Sequence, residues 1–213
     1  MREYPKISTV FARDPATKFK TVLYGQWATP ELAYLASLPW QGSEKIDGMN
    51  IRVLWDGERV TFGGRTDRAA LPATLVTRLS ALFYPGAFVT IFGDVPRQVC
   101  LYGEGYGKGI QHGGHYLTET VDFRCFDIWV NGIWLKQEDV GEIAHRFECE
   151  MPPVLFGLHS LLDLCDAVRE GFVSRFAEDQ TYLAEGLVMR PCIDLLDRRG
   201  QRIITKLKYK DCQ

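Results

Sequence analysis

Glu44-Lys45-Ile46-Asp47-Gly48-Met49-Asn50 runs directly into Ile51-Arg52-Val53-Leu54-Trp55-Asp56-Gly57-Glu58-Arg59-Val60-Thr61-Phe62. Two β-prone runs, Ile51 to Trp55 and Arg59 to Phe62, flank Asp56-Gly57, a pair suited to the positive φ of a tight turn, so the segment predicts a β-hairpin. Phe123 to Val130, then Asn131-Gly132, then Ile133-Trp134-Leu135 repeats the signal. Further strands are expected at Val99 to Tyr102, Leu187 to Arg190 and Arg202 to Tyr209. Helices are expected over Pro30 to Leu38, Pro72 to Phe83, Gln137 to Phe147 and Leu158 to Phe176, with Gly171 ending or kinking the last. Leu75, Val76, Leu79, Leu82 and Phe83 share one helical face, and Pro30 and Pro72 suit first-turn positions. Antiparallel hairpins joined by helices make this an α+β fold, without regular βαβ repetition.

The bulk properties narrow the class. A chain of 213 residues holds one sizeable core. Hydrophobic content of 46% and charged content of 24% are those of a soluble globular protein. No stretch is read as reaching the apolar length of a membrane span. Met1 to Lys20 lacks the apolar core of a signal peptide. The six cysteines contain no Cys-x-x-Cys pair and read as reduced thiols, so a cytoplasmic or otherwise intracellular protein is expected. A net charge of −2 neither demands nor excludes nucleic acid, because binding follows local potential. Arg198, Arg199, Arg202, Lys206, Lys208 and Lys210 concentrate positive charge near the C-terminus, either as a phosphate-binding face or as a solvated strand edge.

Lys45 is the candidate nucleophile. A lysine attacks phosphorus only as the free amine, which neighbouring cations, metal or desolvation assist. Lys-x-Asp-Gly alone is a short pattern that a surface lysine before a turn also satisfies. Alternation along Ile203 to Lys210 puts Lys206, Lys208 and Lys210 on one strand face. That face either lines a pocket for a triphosphate or guards an edge strand. Glu185, before the apolar run Leu187-Val188-Met189, suits Mg²⁺ coordination or pairing with Lys45, or is a charged loop residue. Glu104 stands at a strand end in the loop Gly103-Glu104-Gly105-Tyr106-Gly107-Lys108-Gly109, whose glycines permit close approach to a ligand or make a mobile turn. Phe62-Gly63-Gly64-Arg65-Thr66 carries Arg65 out of the first hairpin. Phe123-Arg124-Cys125-Phe126-Asp127-Ile128 offers an aromatic strand, although Phe123 and Phe126 have opposite parity and cannot both point inward. His112 and His115, without a third ligand, read as loop residues.

In this order, Lys45-Ile46-Asp47-Gly48, Tyr102-Gly103-Glu104, Phe126-Asp127-Ile128, Glu185-Gly186 and Lys206-Leu207-Lys208 resemble the motifs of the covalent nucleotidyltransferase superfamily of polynucleotide ligases and mRNA-capping enzymes. Glu44-Lys45-Ile46-Asp47-Gly48, Gly63-Gly64-Arg65-Thr66 and Gly103-Glu104-Gly105-Tyr106-Gly107 look most like ATP-dependent RNA ligases of the RNA ligase 2-like group. The resemblance implies an ATP-grasp-like core of two antiparallel sheets flanked by helices, with the nucleotide between them. It implies that Lys45 takes AMP from ATP, that AMP passes to a 5′-phosphate end, and that a 3′-hydroxyl then displaces it. By the match Lys206 and Lys208 contact phosphates, Glu185 holds Mg²⁺ or Mn²⁺, and Glu104 reads the ribose. Arg65 assists at a phosphate or the ribose, Phe126 stacks on adenine, and Glu44 and Asn50 support the pocket.

The same resemblance reads residues 1–213 as a single adenylyltransferase domain without an OB-fold or appended C-terminal domain. RNA ends or a nicked duplex are then the partners, with the core surface or a separate protein or guide supplying grip, and no membrane is involved. A DNA ligase, a capping guanylyltransferase and an inactive nucleotide- or RNA-binding module are the alternatives.

Overall fold

The protein, seen as a computed structural model, is described over residues 3–93 and 98–213. It builds two compact units. The lysine unit comprises Lys6–Ile46, Pro153–Phe176 and Gln180–Gln213; the meander unit comprises residues 3–5, Asp47–Pro152 and Ala177–Asp179.

The lysine unit begins with β1 (Ser8–Thr9) and a ribbon of β2 (Phe11–Arg13) and β3 (Val22–Trp27). Helix α1 (Pro30–Leu35) starts where Pro30 predicts, because the Thr29 hydroxyl caps Leu32 N and proline costs little in the first turn. It ends before the expected Leu38. Strand β4 (Trp40–Glu44) follows and ends one residue before the candidate nucleophile Lys45.

In the meander unit the expected first hairpin forms between β5 (Met49–Trp55) and β6 (Val60–Gly63). Asp56 Oδ1 accepts from Glu58 N at 2.9 Å and Arg59 N at 2.8 Å, fixing the turn. The run read as one helix is α2 (Ala73–Leu82), followed by an unanticipated α3 (Pro85–Phe92). Ala73–Phe92 is thus long and apolar enough to span a membrane by composition, against the expectation. It is broken at Phe83 and Tyr84, and Leu75, Leu79, Leu82, Phe83 and Phe88 are buried in the unit's core.

Strand β7 (Val99–Gly107) continues through the segment expected to be a glycine loop. The glycines serve packing: a Cβ at Gly103 would lie 2.2 Å from Phe123 Cζ, and one at Gly105 2.6 Å from Leu75 Cδ2. β8 (Val121–Val130) and β9 (Ile133–Trp134) form the second expected hairpin, with φ of 45° and 100° at Asn131 and Gly132. Helix α4 (Gln137–Arg146) lies within its expected span. The sheet order is β6-β5-β7-β8-β9, antiparallel throughout.

The chain returns to the lysine unit with β10 (Val154–His159), α5 (Leu161–Glu170), β11 (Gly186–Pro191) and β12 (Thr205–Lys208). Leu158, expected to open a helix, lies in β10; the helix waits for Ser160, whose capping box with Asp163 satisfies its first-turn donors. Gly171, at φ 80°, ends it as expected. The sheet order is β1-β12-β11-β4-β10, antiparallel except for the β1–β12 pair. Trp40, Leu161, Leu164, Val168, Leu187, Met189 and Leu207 fill the core beneath it. All six cysteines are free.

Candidate active site

Three adjacent strands bring the lysine unit's charges together. Leu187 pairs with Glu44, and Gly186 pairs with Lys208, so β11 carries its N-terminal end between the ends of β4 and β12. The ladder runs past the strand ends: Lys45 N donates to Gly186 O at 2.9 Å and Tyr209 N to Glu185 O at 2.8 Å. Such close approach needs glycine at 186, where φ is 147° and a Cβ would lie 2.1 Å from Leu207 O.

Glu185 therefore sits beside both lysines. Lys45 Nζ donates to Glu185 Oε2 at 2.5 Å, and Lys208 Nζ pairs with Glu185 Oε1. The side chains of Lys45, Glu185 and Lys208 are 18%, 8% and 25% exposed, leaving the ammonium groups partly open to solvent. Two cations on one carboxylate leave surplus positive charge. Lys206 shares the Lys208 face of β12, with Thr205 and Leu207 buried on the other. Lys210, expected on that face, falls in the 3₁₀ turn Tyr209–Asp211, which departs from the strand. Glu44 is buried, and Arg175 N donates to its Oε2 at 3.0 Å.

The chain passes into the meander unit between Ile46 and Asp47. Asp47 N donates to Tyr116 Oη at 3.1 Å, and His112 Nδ1 lies 3.0 Å from Asp47 Oδ2. His112, read as a loop residue, thus braces the aspartate of the lysine motif. Gly48 packs so closely that a Cβ would lie 2.3 Å from Gly105 O.

Strand register gathers Asn50, Glu104 and Arg124 into one cross-strand row. Arg124 escaped the sequence reading; its guanidinium donates to Met151 O and pairs with Glu150, each at 2.7 Å. Its opposition to Glu104 depends on a register shift in the β7–β8 pair, where Tyr102 opposes Asp127 and Gly103 opposes Cys125. Phe126 is the extra residue of this bulge. Phe123 enters the core while Phe126 meets Tyr4, at a ring separation of 5.1 Å. Tyr4 Oη donates to the buried Asp127 at 2.6 Å.

Arg65 is exposed on the loop after β6. The fully buried Arg52 anchors that loop on both sides of it, donating to Gly64 O at 2.6 Å and Asp67 Oδ1 at 2.8 Å. Sequence reading passed over Arg52 because arginine in a hairpin strand ordinarily faces water.

Two observations bear on ligands. Asn50 Oδ1 is buried without a hydrogen-bond partner among the described residues, an acceptor suited to a ligand N–H. No group of three His, Cys, Asp or Glu among the described residues forms a metal cage. A lone carboxylate such as Glu185 fits Mg²⁺ or Mn²⁺ held largely by water and phosphate oxygens.

Curated protein sequences give no significant match. Solved structures of an RNA ligase from Naegleria gruberi share the fold: a substituted form with AMP and Mn has TM-score 0.65 at 16% identity, covering 97% of this chain and 57% of that one. A second substituted form, with ATP and Mn, has TM-score 0.63 at 16% identity, covering 98% and 59%; the form with PPi has TM-score 0.63 at 17%, covering 97% and 57%. The chain thus spans less than two thirds of the ligase it matches. A sequence model of RNA ligases matches residues 38–209, a span that takes in Lys45, the meander and both strands flanking Glu185. On that match the chain belongs to the RNA ligase family.

Proposed function

We propose that this chain is an ATP-dependent RNA ligase that joins a 5′-phosphate end to a 3′-hydroxyl through a lysyl-AMP intermediate. The observation that carries the reading is Lys45 and Lys208 converging on Glu185. It is supported by family membership and by the matched ligase structures, whose ligands are AMP or ATP with Mn.

Lys45 Nζ, as the free amine, attacks the α-phosphorus of ATP. An Nζ–P bond forms, the P–O bond to pyrophosphate breaks, and the electron pair leaves on pyrophosphate. Lys206 and Lys208 balance the charge that moves onto the leaving group. Glu185 would hold the divalent cation, which when bound would neutralise phosphate charge. In the meander unit Asn50 Oδ1 accepts from the base, Phe126 packs against it, Glu104 takes a ribose hydroxyl, and Arg65 meets a phosphate or the ribose. Glu44 fixes the 175 backbone behind the lysine. AMP then passes to the RNA 5′-phosphate, and the 3′-hydroxyl displaces it as the strand closes.

The substrate we favour is a nick or break in paired RNA, with further grip from a partner protein or guide. Six free cysteines suit a reducing compartment, so we place the enzyme inside the cell. The test is sealing of a nicked RNA duplex with ATP and Mg²⁺, followed as a longer labelled strand with release of AMP and pyrophosphate. A sealed product dependent on ATP and on the 5′-phosphate supports the reading; no product from pre-adenylylated RNA refutes it.

A further inference from the structure

The basic C-terminal run divides in space. Lys206 and Lys208 belong to β12, beside Glu185. Arg198 and Arg199 stand instead at the tip of a hairpin over residues 192–203, joining β11 to β12. Leu196 bridges Arg202 across its arms, and Ile203 N donates to Leu195 O at 2.9 Å.

The tip is ordered by its own hydrogen bonds. Asp197 Oδ1 accepts from Arg199 N and Gln201 N, both at 2.8 Å, and Gly200, at φ 74°, donates its N–H to Asp197 O. Asp197 is thereby committed to the turn, leaving Asp194 as the other acid of the hairpin. Arg198 and Arg199 are exposed, on a backbone the turn holds in place. Ile193 and Leu196, 68% and 61% exposed, add large apolar side chains that bury little within their own fold.

Arg198 and Arg199 at the hairpin tip and Lys206 and Lys208 on β12 are separate basic groups on one unit. A polynucleotide, with a phosphate at every residue, offers a partner to each, whereas a mononucleotide carries its phosphates at one end only. Guanidinium groups match phosphate oxygens in pairs of hydrogen bonds, and exposed apolar side chains beside them suit sugar faces.

We propose that the hairpin of residues 192–203 grips the RNA duplex arm beside the ends being joined, with Arg198 and Arg199 on backbone phosphates and Ile193 and Leu196 against riboses. This inference rests on the RNA-ligase reading. Because the hairpin is continuous with β11 and β12, it holds the duplex in fixed register with Glu185 and Lys208.

The test is binding of a fluorescein-labelled nicked RNA duplex by the full chain over a salt series, for wild type, R198A/R199A and R198K/R199K, with Lys45 adenylylation measured in parallel. Adenylylation needs no RNA and should be unchanged in both variants. In R198A/R199A the Kd should rise about tenfold at low salt, and the slope of log K against log salt should become shallower by about 2, one for each lost phosphate contact. The lysine variant should keep most of the slope. Wild-type affinity and slope in R198A/R199A would overturn the proposal, as would an equal loss of affinity for ATP. A wild-type chain that forms no adduct yet shows the predicted slope change refutes the ligase reading and leaves the hairpin's phosphate grip standing.

Discussion

Lys45 Nζ lies 2.5 Å from Glu185 Oε2, although 140 positions separate the two residues in sequence. The pairing of β4 with β11 makes this meeting, and Gly186 allows Lys208 to join from the other side. One carboxylate thus holds two ammonium groups at the ends of three adjacent strands.

Removing Lys208 should leave folding intact, since its side chain is partly exposed, and should slow adenylylation by on the order of 10²–10³-fold. K206A should act in the same direction. Rapid-quench measurement of the AMP adduct reads this directly; unchanged rates in both variants would mean that the lysines only guard the β12 strand.

Gly186→Ala forces a Cβ to within 2.1 Å of Leu207 O at a residue with φ 147°. The expected cost is at least about 1–3 kcal/mol, because backbone flanks the site and cannot yield as a side chain would. Urea denaturation should show it, together with slower adduct formation as Glu185 and Lys208 are pushed apart.

Arg52→Met deprives Gly64 O of its buried donor and frees the loop that carries Arg65. A loss of about 1–3 kcal/mol is expected from the unmet carbonyl. Its KM for ATP should rise more than its kcat falls, and R52K should recover stability better than nucleotide affinity, since one ammonium cannot reproduce the guanidinium fork. Equal recovery of both would assign Arg52 to stability alone.

Burial pushes the Cys149 and Cys165 thiols up to about 12 from their ordinary 9.0 and raises the Cys125 thiol in the same direction. The folded state keeps these protons at pH values where the unfolded chain loses them. Their contribution to stability is therefore full below about pH 9 and is lost as pH rises toward 12. At pH 8 iodoacetamide should label Cys192 first, the exposed thiol, and reach Cys100, Cys125, Cys149 and Cys165 only on unfolding, as peptide mapping would show.

Local chemistry made much of this legible. Asp56-Gly57 and Asn131-Gly132 announce their hairpins because few other pairs fit those turns, and Gly171 ends its helix. The ordered motifs from Lys45 to Lys208 pointed to the family. What sequence obscured depends on distant partners. Gly103 and Gly105 read as a loop until Phe123 and Leu75 are seen pressed against them. Helix α3 hides in Pro85–Phe92, an apolar run in which helix and buried strand look alike. The start of α5 was readable, in Ser160 and Asp163 at capping-box spacing, and was missed. The role of Arg52 follows from its burial, which alternation alone does not disclose when the polar face of a sheet is itself covered.

Intact-mass spectrometry of the chain after incubation with ATP and Mg²⁺, beside Lys45→Ala and a GTP control, shows whether Lys45 is the nucleophile. The expected result is a gain equal to one AMP with ATP alone, abolished in Lys45→Ala and mapped by peptide fragmentation to Lys45 Nζ. An AMP adduct that persists in Lys45→Ala, or a wild-type chain that forms none after any bound AMP has been stripped with pyrophosphate, would contradict it.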